Sequence, residues 1–187
     1  MDVFLLTLVL VFAIALGGRD QQVMAQLADA LGRSPLLLVT GAVCAIISAA
    51  IMTWLGSTFA AMLPFRAAQM LVAFALGVAA LELALPVRLK QPVEPTRSLG
   101  AIGAVLLARQ IGDAARFVVF AFAALAHFPL LSALGGSLGG AAALAVGWAV
   151  GGEKLARFPL VWWRRGLAGC LFVAAIWVGL NARYQGL

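Results

Sequence analysis

The sequence predicts an all-α integral membrane protein: six transmembrane helices arranged as two inverted three-helix repeats. Three observations carry that prediction. The 187 residues are 64% hydrophobic and 11% charged, with a mean hydropathy of +1.07, and a water-soluble core of that size would be wrapped in far more charge. Apolar stretches suited to the ~30 Å hydrocarbon layer of a bilayer recur between Pro and Gly turn signals. The polar interruptions and prolines then return at one fixed spacing.

The first span is read over about residues 3–31. It is apolar to Leu16, interrupted by Gly17-Gly18-Arg19-Asp20-Gln21-Gln22, and resumes a helical stripe through Val23, Met24, Leu27, Ala28 and Leu31. As one continuous helix it would be roughly 43 Å long, placing the polar interruption deep in the bilayer. Asp20, two residues past Gly18 and so turned from it by about 200° along such a helix, is expected to point away from the glycine face. Met1-Asp2-Val3-Phe4 lacks the basic start of a cleavable signal, so this stretch is expected to stay as a span.

Gly32-Arg33-Ser34-Pro35 is a stop and turn, and a second span covers about 36–55, rich in small residues such as Gly41, Ala45 and Ser48. A third covers about 67–85 and is stopped by Pro86. Its Glu82 lies near the end and is read as a snorkelling surface acid. Residues 87–98, with Arg88, Lys90, Arg97, Pro92 and Pro95, form a basic linker between a first repeat (1–86) and a second (99–187).

The fourth span, about 99–126, holds Arg109-Gln110-Ile111-Gly112-Asp113-Ala114-Ala115-Arg116 at its centre. On a helix, Arg109, Asp113 and Arg116 are spaced to share one face. A charge at the centre of a span costs roughly 2.5–3.5 kcal/mol on insertion scales and marks a functional site by default. The competing reading is a self-neutralising ion cluster that only locks helices together. The fifth span, about 130–150, carries Gly135, Gly136, Gly139, Gly140 and Gly147, small-xxx-small faces suited to close packing and to a homodimer. The sixth opens on Val161-Trp162-Trp163-Arg164-Arg165, an interfacial aromatic and basic belt.

Leu63-Pro64 maps onto Phe158-Pro159 with an offset of 159 − 64 = 95, and Gly17-Gly18 onto Gly112-Asp113 with 112 − 17 = 95. Three spans per repeat is an odd number, so the halves must enter the membrane in opposite senses. Placing the N-terminus outside puts Arg33, Arg88, Lys90, Arg97, Lys154, Arg157, Arg164 and Arg165 in cytoplasmic loops, and only Arg66 and Arg183 outside. Positive charge thus favours N-out and C-out, with a bacterial inner membrane as the expected location.

No nucleophile–base pair, zinc spacing or phosphate loop occurs, so an enzyme is not expected. Nor does a basic patch meet an aromatic platform, which removes nucleic acid as a partner. Cys44 and Cys170 read as small buried hydrophobes, and His127 as an interfacial residue at a helix end.

The stretches Ala15-Leu16-Gly17-Gly18-Arg19-Asp20 and Gln110-Ile111-Gly112-Asp113-Ala114-Ala115 resemble the paired Glu-x-Gly-Asp-Lys/Arg-Ser/Thr motifs of the Gdt family, the calcium/manganese:proton antiporters related to the lysine-exporter superfamily. The resemblance covers essentially the whole chain in repeat length, Pro turns and the basic loop before the last span. It implies a membrane transporter with Asp113, Gln110, Gly112, Gly17, Gly18 and Asp20 at its site and Arg19, Arg109 and Arg116 as switching or charge partners. Asp113 and Gln110 would then ligate a transported manganese or calcium ion, with no resident cofactor. Where the family has four acids, this chain has Ala15, Gly18, Gln110 and Asp113. Arg19, Asp20, Arg109, Asp113 and Arg116 sum to +3 − 2 = +1, and uncompensated positive charge in low dielectric repels a divalent cation. Two expectations follow. Either the chain is a transporter with an altered mid-membrane site, or it is a transport-inactive structural or partner subunit whose site is filled by Arg–Asp ion pairs. Its expected partners are the lipid bilayer, a transported ion or small solute, and a second copy of itself.

Overall fold

The computed structural model describes residues 2–86 and 98–184, and the regular structure within them is helical. In chain order the helices are α1 (Asp2–Ala15), α2 (Arg19–Leu31), α3 (Pro35–Met62), α4 (Phe65–Ala84), α5 (Leu99–Ile111), α6 (Ala114–Leu125), α7 (Pro129–Val150), α8 (Gly152–Leu155) and α9 (Leu160–Tyr184). Helices α3, α4, α7 and α9 are each long and apolar enough to cross a membrane, and α1 with α2 passes the same test as one bent pair. The chain is therefore built as an all-α membrane protein. The basic linker expected over 87–98 lies outside the described residues except for Ser98.

Local chemistry sets the helix ends. Pro35 and Pro129 occupy the first turns of α3 and α7, where the missing N–H costs nothing and φ is already helical. Ser98 caps α5 by accepting the Ala101 N–H at 3.4 Å.

The first segment is not the continuous 43 Å helix that periodicity suggested. It breaks at Leu16-Gly17-Gly18, and α1 and α2 meet at 62°. Gly17 has φ +76°, a left-handed conformation that costs a side-chain-bearing residue roughly 1–2 kcal/mol. The fourth segment is likewise divided, into α5 and α6, at Gly112-Asp113.

Helices α3 and α7 pack together at the centre. Around them α1 runs along α7, α6 along α3, and α4 lies against α9 and α6. The glycine faces of α7 are occupied inside the chain, which corrects their expected use in a homodimer. A Cβ on Gly135 or Gly139 would come within 3.0 Å of the Leu8 or Phe12 amide nitrogen of α1. On the neighbouring face, Gly140 lies against Arg116 and Gly147 against Gln21. Phe74, Leu81 and Trp177 stand exposed on α4 and α9, the apolar exterior that lipid covers. Cys170 also lies on the exterior of α9, not in the core as expected, while Cys44 is buried.

Candidate functional site

A helix broken inside an apolar protein leaves carbonyl and N–H groups that must find partners. At the first break side chains supply them. The Gly17 N–H donates to Gln21 Oε1 at 2.6 Å. The Gly17 carbonyl accepts from Gln22 Nε2 at 3.0 Å and from Arg164 Nη1 at 3.5 Å. Gly18 is the N-cap of α2 and has no side chain to cap with. Asp20 serves instead, its Oδ1 accepting the Gln21 N–H at 2.9 Å.

At the second break Asp113 is itself the N-cap of α6, accepting the Ala115 N–H through Oδ2 at 3.2 Å. Both carboxylates therefore sit on the positive end of a half-helix, where the backbone dipoles favour negative charge. Both are also buried. The expectation that Asp20 points away from the site fails because the chain there is not one helix. The break at Gly17 rotates the start of α2, and Asp20, Asp113 and Arg116 come within electrostatic reach of one another.

The expected shared face of Arg109, Asp113 and Arg116 is kept only by Arg109 and Asp113, which line one cavity; Arg116 departs from it for the same reason. Gly112 interrupts the helix between them, leaving Arg109 exposed and Arg116 only 2% exposed. Among the described residues no Arg or Lys nitrogen lies within 4.0 Å of the Asp20 or Asp113 carboxylate. Among the described residues, no Arg–Asp contact of the kind a filled, inactive site would rest on is closer than that.

Arg116 is held by neutral groups. Its Nε donates to Ser48 Oγ at 2.8 Å and its Nη1 to the Gly136 carbonyl at 3.2 Å. Ser48 Oγ in turn donates to Gln110 Oε1 at 2.8 Å. Gln110 is wholly buried, and its Nε2 has no hydrogen-bond partner. Opposite, the buried Gln21 extends Nε2 to the Ala143 carbonyl of α7 at 2.8 Å. Ser48 and Gln21 thus belong to the site, yet Ser48 reads from the sequence only as a small packing residue.

A cavity of about 480 Å³ reaches this centre, lined by Arg19, Glu82, Ala108, Arg109, Gly112 and Asp113. Residues from both breaks therefore face one space. Two charges, Glu82 on the cavity wall and Arg164 behind it, lie elsewhere than the sequence suggests. Glu82 is not a surface acid: its side chain is 12% exposed and lies 3.6 Å from Arg19 Nε and 3.4 Å from Arg164 Nη2. Arg164 leaves the expected interfacial belt and is buried, donating to the Glu82 main-chain carbonyl at 3.2 Å as well. Arg165 alone keeps the belt role, its guanidinium 5.6 Å from the Trp162 ring centre. A helical period separates the two arginines by about 100°, the available signal that one of them turns inward.

Of the residues expected to ligate a metal, Asp113 lines the cavity, while Gln110 directs Oε1 to Ser48. Among the described residues no group of three or more His, Cys, Asp and Glu converges as a metal-holding set. A hard divalent cation wants several such oxygens, so the donor set fits one poorly. No protein-family model matches the chain, and no curated protein or solved structure matches it either.

Proposed function

We propose that the chain is a secondary transporter of six spans in two inverted repeats, exchanging a cation for protons at the place where its two broken helices meet. The observation that carries this reading is the pair of buried acids, Asp20 and Asp113, seated on half-helix N-termini with no Arg or Lys nitrogen among the described residues within 4.0 Å, beside a cavity that reaches one of them. Buried carboxylates are retained in an apolar membrane protein at a cost, and that arrangement suits an ion or proton path. Half-helix ends gathered around a central site are also the recurrent arrangement in inverted-repeat transporters.

Registration of the helices supports the repeat. Helix α2 begins at Arg19 and α6 at Ala114, an offset of 114 − 19 = 95; α4 begins at Phe65 and α9 at Leu160, again 160 − 65 = 95. With α5 and α6 taken as one broken span, six crossings follow. With Arg164 turned inward, the positive charges assigned to the inside still number seven (Arg33, Arg88, Lys90, Arg97, Lys154, Arg157, Arg165) against Arg66 and Arg183 outside, favouring N-out and C-out. A bacterial inner membrane remains the proposed location. In this reading a proton and the cargo cation compete for Asp113 and Asp20, so each leaves as the other binds, and no chemical bond of a substrate is made or broken.

The test is proton movement in proteoliposomes holding a trapped pH indicator. Imposed gradients of NaCl, KCl, MnCl2 or CaCl2 should drive proton flux through at least one of the four in wild type, and Asp113→Asn should abolish it. Asn keeps a cap acceptor for Ala115, so loss of flux reports on charge and not on folding. No flux from wild type with any of the salts would overturn the proposal.

A further inference from the structure

We infer that Arg116 is a resident cation of the site, so that the cargo of this transporter is a monovalent cation and divalent ions are excluded. The inference rests on the transport reading and narrows it. The offset that relates the halves pairs Gln21 with Arg116 (116 − 21 = 95) and Ser48 with Ala143 (143 − 48 = 95). Gln21 and Arg116 each stand third in their helix, α2 and α6. Each reaches across to its counterpart partner, Gln21 Nε2 to Ala143 O and Arg116 Nε to Ser48 Oγ, both at 2.8 Å. The same slot in the two halves therefore holds a neutral amide once and a guanidinium once.

The second slot is shaped for that guanidinium. A Cβ on Gly140 would stand 2.7 Å from Arg116 Nη2 and 3.1 Å from Nη1, so any larger residue at 140 would make the guanidinium shift from its place. Its hydrogen-bond acceptors, Ser48 Oγ and Gly136 O, are neutral, and its charge stays unmatched by them. Arg164, also buried, is matched by Glu82; the remaining buried charges, Arg116 against Asp20 and Asp113, give +1 − 2 = −1 with both carboxylates ionised. One proton or one monovalent cation brings this to zero. A divalent ion would leave a net positive charge in a low-dielectric interior, where unlike-charge balance matters most.

The orphaned Gln110 amide points the same way. Turning it by 180° lets Nε2 donate to Ser48 Oγ, frees the Ser48 hydroxyl to donate to the Ala45 carbonyl 3.2 Å away, and presents Oε1 where Nε2 now has no partner. That rotation supplies a neutral carbonyl oxygen, the kind of ligand that adds coordination without charge.

The experiment uses the full chain in proteoliposomes, comparing proton flux driven by NaCl, KCl, MnCl2 and CaCl2 gradients. Wild type should respond to Na⁺ or K⁺ at least about tenfold faster than to Mn²⁺ or Ca²⁺. Arg116→Gln, which copies the residue of the other half, should raise the divalent response about tenfold and lower the monovalent one. Arg116→Lys, keeping the charge, should keep the monovalent preference. Divalent-driven flux in wild type equal to the monovalent flux, or a selectivity unmoved by Arg116→Gln, would overturn this inference and leave the transport reading standing. Should Arg116→Gln not fold, the wild-type selectivity decides alone. Silence with all four salts removes both.

Discussion

Arg164 holds Glu82 across the α4–α9 interface, with Nη2 3.4 Å from each carboxylate oxygen and 3.2 Å from the Glu82 carbonyl. The guanidinium also reaches the Gly17 carbonyl, so one side chain ties the first helix break to the end of α4. Removing the acid leaves a buried cation without its partner, which costs far more than the pair contributes. Glu82→Gln should lower stability in detergent by about 3 kcal/mol, read as a fall in unfolding temperature. Adding Arg164→Gln to it should recover a substantial part, because the unpaired charge is then gone.

The glycines at the two breaks are not equivalent, although they occupy matching positions. Gly17 has φ +76° and a Cβ there would lie 3.0 Å from Leu160 Cβ. Gly17→Ala should therefore destabilise the protein by about 1–2 kcal/mol. At Gly112 a Cβ meets nothing within 4 Å and φ is −94°. Gly112→Ala should leave unfolding within about 0.5 kcal/mol of wild type, and thermal denaturation of the two variants side by side checks the contrast.

Gly140 and Gly169 make a second contrasting pair. An added methyl at Gly140 meets the Arg116 guanidinium, while at Gly169 it meets nothing. Gly140→Ala should cost about 1–3 kcal/mol through overpacking, and Gly169→Ala almost nothing. In an Arg116→Gln background the penalty at Gly140 should shrink, because the shorter amide can withdraw; a double-mutant cycle measures that coupling.

Asp20 and Asp29 lie on the same helix but play different parts. Asp20 is buried at the break, whereas Asp29 is exposed and accepts the Gly152 N–H at 2.7 Å, holding α2 to α8. Asp20→Asn should abolish cation-driven proton flux as Asp113→Asn does, and Asp29→Asn should leave it within about twofold of wild type. Equal loss in both would mean that acids on α2 matter for packing and not for the site.

Much of the fold is legible in the sequence. Hydropathy finds α3, α4, α7 and α9, and the prolines at 35 and 129 mark starts that the structure keeps. The chemistry of the breaks is less legible, because helical periodicity assumes a continuous helix. Across Gly17 and Gly112 that assumption sends Asp20 outward and puts Arg109 beside Arg116, and the break reverses both. Arg164 and Glu82 are misread for a different reason. Both fall near the ends of apolar stretches, where a charged side chain can equally snorkel outward or turn toward a partner; the partner lies 82 residues away in the chain and only packing brings it near.

The proposed transport requires that the two helix breaks face one hydrated space inside the membrane. Gly112→Cys in a Cys170→Ser background tests it most directly, since Gly112 lines the cavity and has room for a side chain. In sealed vesicles of known orientation, a charged, membrane-impermeant thiol reagent should label this cysteine from one face, while the buried Cys44 stays unmodified. A Gly112 cysteine that resists the reagent from both faces, with an Arg157→Cys loop control fully labelled, would contradict the account.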